Sequence, residues 1–244
     1  MGNNPLKIAI MQPTFNPWLG YFDLIDYVDK FIFLDTVQLT KRSWQTRNKF
    51  LVNSNEIMFS IPIQKTSSRD DLLIKDAHIC IENFDFRQKL YTLLEQGYKK
   101  ASFYKESNQV LHNPILFDTP FLSLYTMNMI ETISQQLGIT TEFCRLSTSG
   151  FTSDAKKGNL ILDICEFFNT QIYASPLGAH EYMEASKALF TEKNITVLHQ
   201  HYHHPIYPQL SEDFIPYLGI IDLLYNHGFN NALEIIRGGR NYEN

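Results

Sequence analysis

Cysteine is scarce in this chain, and the three present (Cys80, Cys144 and Cys165) stand far apart without a CxxC spacing. That excludes a disulfide framework and a cysteine-built zinc cage, and it fits a reducing compartment. Long apolar runs are missing as well. The opening MGNNPLKIAIMQP offers only Leu6 to Met11, interrupted by Lys7, which is too short for a secretory leader. Nowhere does an apolar stretch reach the length of a spanning helix. A cytoplasmic protein with no membrane span is expected. Excess positive charge is absent too: the net charge is −5, so the surface as a whole does not attract nucleic acid. A phosphate contact must come from a local patch. Repeats, low-complexity tracts and dividing linkers are also lacking. What is plentiful is core material, with 44% hydrophobic residues, 18 Phe and 13 Tyr in 244 residues. One globular domain over residues 1–244 is expected.

The hydrophobic pattern alternates between strand and helix. Lys7–Ile10 reads as a buried first strand turning at Pro13. Asn16 stands as an N-cap and Pro17 as the first helical residue of a helix running through Leu24–Val28. Lys30–Val37 is a second strand, which completes a unit of βαβ size. Ile57–Ile63 reads as a third strand and Ala77–Ile81 as a weaker one. Helical spacing covers 84–99 and 120–137, so residues 84–137 form a helical subdomain, with a turn between Pro114 and Pro120. Beyond it come strand Thr140–Leu146, helix Asn159–Phe168, strand Gln171–Ala174, helix Tyr182–Glu192 and strand Ile195–His199. Helices near Pro216–Asn226 and Asn231–Ile236 follow, capped by Gly228 and Gly238. This order predicts an α/β fold with a mostly parallel, Rossmann-like sheet flanked by helices.

Open parallel sheets bind ligands where strands end and helices begin. The turn Gln12-Pro13-Thr14-Phe15-Asn16-Pro17 lies at such a place, and Gly20 leaves room for a ligand or a neighbouring strand. After the second strand comes TVQLTKRSWQTRNKF. Between Asp35 and Glu56 every formal charge is positive: Lys41, Arg42, Arg47 and Lys49. Cations clustered without a counter-ion suit a visiting anion, with Arg for bidentate phosphate recognition and Trp44 to cover a base or sugar face. The plain alternative is a solvated loop. Asp35 and Gln38 are placed to orient a sugar hydroxyl or an amine, or Asp35 simply pairs with Lys41.

His199, His201 and His203 alternate, so on a strand they share a face, with His204 opposite; Asp213 or Asp222 could complete a zinc set. No further Cys/His pair has ligand spacing, and no metal is assigned. A proton-transfer role for His204 or His180 fits better, because chemistry on an amine at neutral pH needs a base titrating near 7. His180, in PLGAHE, follows a strand and precedes a helix; it otherwise caps that helix. Asp222 and Asn226 share a helical face and either tie that helix to the core or touch ligand.

The run MQPTFNPWLGYFDLIDYVDKFIFLDTVQLTKRSWQTRNKF resembles the opening of the WbqC-like protein family. YASPLGAHEYM, the Tyr207/Gln209 pair in HHPIYPQL, and LGIIDLLYNHG agree with it. The resemblance implies a place in the biosynthesis of O-antigen, the lipopolysaccharide glycan, or of related surface sugars. It also implies modification of an amino sugar by glycine or another acyl group. PTFNPWLGYFDLI is more distantly similar to the His-x-Gly-His segment of adenylate-forming nucleotidyltransferases. Gly20 matches the motif glycine, but Trp18 and Tyr21 stand at the histidine positions and the turn is one residue shorter. That favours nucleotide binding over adenylyl transfer. The expected activity is therefore acyl or aminoacyl transfer to a nucleotide-linked amino sugar. Gln12, Asn16, Tyr21, Gln38, Lys41, Arg42, Trp44, Arg47, Asn48, Tyr207 and Gln209 would line the ligand site. Asp35, His204 or His180 would move the proton. An activated acyl donor or an aminoacyl-tRNA would supply the acyl group, or ATP would be consumed to activate the acid in place. The alternatives are a non-catalytic nucleotide-sugar binding or assembly protein and a metal-dependent hydrolase.

Overall fold

In the computed structural model, which describes residues 5–66, 71–81, 85–179 and 186–243, six strands form one sheet in the order β5-β2-β1-β6-β7-β8. These are β1 (Lys7–Met11), β2 (Lys30–Phe33), β5 (Glu142–Arg145), β6 (Ile172–Ser175), β7 (Thr196–Gln200) and β8 (Tyr242–Glu243). The first five run parallel; only β8 is antiparallel, pairing Gln200 with Tyr242. The predicted Rossmann-like α/β architecture is the one observed. The order in which strands are added reverses between β1 and β6, so the switch point lies where Met11 and Ser175 end their strands.

Central parallel strands are covered on both faces, which is why KIAIM and KFIF carry apolar residues at successive positions. Ala9, Phe31, Phe33 and Ala174 face α1 (Leu19–Tyr27), the helices α2 (Phe86–Tyr98), α3 (Tyr104–Ile115) and α4 (Leu122–Gln136), and α7 (Ile220–Gly238). Ile8, Ile10, Ile32, Tyr173 and Val197 face α5 (Gly158–Phe167) and α6 (Lys187–Glu192). A separate hairpin, β3 (Arg47–Val52) with β4 (Asn55–Ser60), packs on α2 and turns through Asn53 and Ser54, both at positive φ.

Several local expectations are corrected. The cation-rich segment, for which a solvated loop was the plain alternative, ends in β3, where Phe50 and Leu51 are buried and Arg47 and Lys49 half-buried. The second strand stops at Phe33 rather than Val37, and the third occupies Asn55–Ser60 rather than Ile57–Ile63. Ala77–Ile81 gives only isolated bridges, Ile79 to Ile63 and His78 to Phe121. Helix α3 has no counterpart in the sequence reading, since Pro114, taken for a turn boundary, sits in its last turn. The final helix begins at Ile220 rather than near Pro216. Gly228 interrupts it at φ 72, as its capping role required, and the end falls on Gly239 instead of Gly238.

Asn16 does not cap α1, whose N-cap is Trp18 without a side-chain bond. It sits at φ 47, and its Oδ1 instead accepts the N–H of Ile221, 3.2 Å away, while the Pro17 carbonyl accepts Ile220 N–H at 2.7 Å. The N-terminal bend therefore caps the C-terminal helix. Gly219 is essential to this approach: a Cβ there would fall 2.0 Å from the Asn16 amide and 2.4 Å from its carbonyl oxygen. Gly219→Ala is expected to cost about 2 kcal/mol through overpacking, measurable as a lower urea midpoint with unchanged slope.

The C-terminal tail is fastened to α1. Asp23 is fully buried; its Oδ1 accepts Arg240 Nε at 2.6 Å, and its Oδ2 accepts Tyr242 Oη at 2.9 Å and Gln200 Nε2 at 3.0 Å. Asp26 receives both Arg237 and Arg240, and Tyr242 stacks on Tyr27 at 3.7 Å.

Candidate functional site

The bend after β1 is held from several sides. Phe15 is buried against Phe50, Phe59 and Tyr125, and its N–H donates to the Trp44 carbonyl at 3.0 Å. Asn48 Nδ2 donates to the carbonyls of Phe15 (2.9 Å) and Asn16 (2.6 Å). The Tyr21 hydroxyl, buried inside α1, donates to the Gln12 carbonyl at 3.0 Å, and burial pushes its pKa well up, so it stays protonated. Gln45 Nε2 donates to Gln12 Oε1. The segment after β2 is thus folded onto the bend through Gln12, Phe15 and Asn16.

Three polar atoms of that segment are buried without a hydrogen-bond partner among the described residues: Ser43 Oγ, Gln45 Oε1 and Arg47 Nε. Buried polar groups are almost always paired, so three orphans within five residues call for a ligand or ordered solvent. Their place is the carboxyl edge of a parallel sheet, beside its switch point. Ser175 Oγ, at the end of β6, is a fourth buried atom with no partner among the described residues.

The cations divide. Arg47 is half-buried, whereas Lys41 and Arg42 are exposed, the latter at φ 56. Lys49 pairs with Glu56 at 2.5 Å. Trp44 leaves half its surface in solvent (51%), and Gln38 is exposed on a backbone bridge to Leu73. Asp35 is buried and engaged: its two carboxylate oxygens accept the Ser147 N–H (2.9 Å) and hydroxyl (2.5 Å). It therefore clasps the end of β2 to the turn that follows β5.

On the other side of the bend lies an aromatic cluster. The Trp18 indole covers Gly20, where a Cβ would meet the ring at 2.4 Å, so the room expected there for a ligand holds Trp18 itself. Trp18 stacks near-parallel with His204 (6.3 Å, 17°) and edges onto Tyr202 and Tyr217. His204 Nδ1 lies 2.9 Å from the Pro205 carbonyl, and Nε2 accepts the Tyr217 N–H at 3.3 Å. That pattern places the proton on Nδ1 of a neutral ring, and burial lowers its pKa, against a smaller upward pull from the Pro205 carbonyl. Tyr207 lies against His204 and donates to Asp222 Oδ2 at 3.0 Å, as does Gln209 Nε2 at 3.0 Å. Burial pushes the Asp222 carboxyl up to about 6, a rise that the hydrogen bonds from Tyr207 and Gln209 only partly offset.

The structure thus gathers Gln12, Asn16, Tyr21, Trp44 and Asn48 about one side of the bend, and His204, Tyr207 and Gln209 about the other. Asp35 stands apart with Ser147. His180 lies outside the described residues. The histidine run diverges: His199 is buried in β7, His201 lies 3.9 Å from Glu243, and His203 is exposed. Among the described residues no three His, Cys, Asp or Glu side chains gather as a metal site, and no helix is long and apolar enough to cross a membrane. Sequence reasoning missed Ser43, Gln45 and Ser147. Gln45 stood inside the cation run and was overlooked for its charged neighbours; nothing local marks Ser147.

Residues 12–234 match the family model described as WbqC-like protein family, a span that includes both sides of the bend and the helices α2 to α4. The chain belongs to the WbqC-like protein family. Within the curated proteins it is similar to uncharacterized protein Rv1507c of Mycobacterium tuberculosis, at 32% identity over 225 residues, covering 91% of this chain and 94% of that protein. No solved structure matches. The family match ends at residue 234, short of the tail that fastens α1.

Proposed function

We propose that this WbqC-like protein acts in the cytoplasm in surface-glycan (O-antigen, lipopolysaccharide) biosynthesis, as a transferase that places an aminoacyl or acyl group, such as glycyl, on the amine of a nucleotide-linked amino sugar. The observation that carries the binding half is the set of buried, partnerless atoms Ser43 Oγ, Gln45 Oε1 and Arg47 Nε beside Gln12. Arg47, with Lys41 and Arg42 at the rim, would hold the phosphates, and Trp44 would cover the base or sugar. Asn16, Tyr21 and Asn48 shape the bend, while Gln38 reaches the same edge.

In the chemical half, the amine nitrogen attacks the acyl carbonyl carbon and the donor's leaving group departs. That group is a thiolate, a tRNA hydroxyl, or AMP where ATP has activated the acid. The proton shed by nitrogen passes to His204 Nε2 once that atom releases the long Tyr217 N–H bond it accepts at rest, the ring being neutral at pH 7. Tyr207, Gln209 and Asp222 position that ring. Asp35, already bonded to Ser147 through both oxygens, is a weaker candidate base, and His180 remains a second. The engagement of Asp35 favours a second reading, a binding protein without turnover.

Thermal-shift titration with nucleoside-diphosphate-linked amino sugars separates these readings. Wild type should be stabilised, and Arg47→Ala should bind roughly 10- to 100-fold more weakly, the worth of a charged hydrogen bond. Equal binding by the variant overturns the phosphate assignment. Acyl transfer in the presence of ATP and an amino acid, or of an acyl thioester or aminoacyl-tRNA, should fall by about 10²-fold or more in His204→Gln. Binding without transfer from any donor leaves the binding-protein reading standing.

A further inference from the structure

We infer that the groove between α3 and α4 is a binding site for a neutral saccharide, separate from the carboxyl edge of the sheet. The groove measures about 400 Å³, within the range of small-molecule sites. Two ridges face each other across it. Gln109 and Asn113 stand one turn apart on α3, with Phe117 just beyond its end; Asn128, Thr132 and Gln136 stand one turn apart along α4. None of these carries a charge, so a phosphate, a carboxylate or a metal ion finds no counter-charge here. Each amide presents two donors and one acceptor oxygen, and a hydroxyl needs both.

The convergence of these groups on one groove sets them apart, whereas Asn48, Gln200 and Gln209 are spent on partners across long sequence separations. Among the described residues Gln109, Asn128, Thr132 and Gln136 make no side-chain hydrogen bond to the protein. Pro114 adds a further acceptor to the same wall. It lacks an N–H, so the carbonyl of Val110, which also lines the groove, has no α-helical donor. Phe117 completes the chemistry: its ring is 36% exposed at the groove's end, an apolar face for the C–H side of a pyranose. A row of donors and acceptors, no charge and one open aromatic ring is the complement of a hydroxyl-rich, uncharged ring.

Saturation-transfer NMR on the full chain tests this with chitotriose, maltotriose and cellotriose at millimolar concentration. At least one should receive saturation on its ring protons. Asn128→Leu and Phe117→Ser should each cut the transfer at least fivefold, and Phe117→Ser removes an exposed ring, so it reports even if Asn128→Leu folds poorly. Arg47→Ala should leave the transfer unchanged, and Phe117→Ser should leave nucleotide-sugar binding unchanged. The inference is overturned by absence of transfer from all three sugars, by equal transfer in Phe117→Ser, or by loss of both signals in either variant.

Discussion

Arg240→Ala is expected to lower stability by about 3 kcal/mol, because it strips the charged partner from a carboxylate with no exposed surface and leaves that charge buried. For a domain of this size the melting temperature should fall by roughly 6–12 °C in calorimetry. Arg237→Ala is the contrast. Its guanidinium is 53% exposed and meets Asp26 at 2.7 Å, so its removal should cost no more than about 1 kcal/mol. The double variant Asp23→Asn/Arg240→Ala should regain most of the loss, since the buried charge is then gone. A loss below about 1 kcal/mol in Arg240→Ala would show that Tyr242 and Gln200 suffice to satisfy Asp23.

The second large effect is a pH profile. Asp222 titrates at about 6 in the fold, against the ordinary carboxylate value of 3.8. A raised acid binds its proton more tightly when folded, so the folded state is favoured below the unfolded value and loses that advantage as pH climbs from about 4 to 6. Above 6 the full penalty is present, about 3 kcal/mol from 1.36 kcal/mol per unit. Asp222→Asn removes the charge and keeps an oxygen for Tyr207 and Gln209. Its stability should be flatter than wild type across pH 4–7 and equal or higher at pH 8. Asp222→Ala should be weaker at every pH, because two buried donors lose their acceptor. Asp26 acts in the opposite sense. Burial works to raise it, but hydrogen bonds from Arg237 and Arg240 outweigh this and hold it low. The stability it confers is lost only as pH falls below about 4, outside the window assigned to Asp222. Identical profiles for wild type and Asp222→Asn would refute the assignment.

The parallel sheet was legible because each central strand is a short apolar run bounded by turn residues, and burial on both faces demands that pattern. The bend at Gln12–Pro17 was legible as a strand-to-helix junction. What escaped was set by distant partners. Arg47–Val52 was not read as a strand because its cations obscured the alternation with buried Asn48 and Phe50, and Leu51, on the face of the cations, is buried as well. Helix α3 hid behind Pro114, which a helix tolerates in its last turn when the lost bond is near the end. Asn16 had the right chemistry for a cap and the wrong helix, since the helix it serves lies more than two hundred positions later. Ser147 and Gln45 acquire meaning only from Asp35 and Gln12, which no local window reveals.

That pairing of Asn16 with Ile221 spans 205 positions, and it bears on the order in which the molecule is made. A chain emerging from the ribosome exposes the bend after β1 some 205 positions before the residue that closes it. Until Gly219 and the turns after it are released, the bend has no seat, and the long loop between must close before either end gains the contact. Truncations that stop before residue 219 should therefore yield a sheet without a finished edge, whatever their solubility.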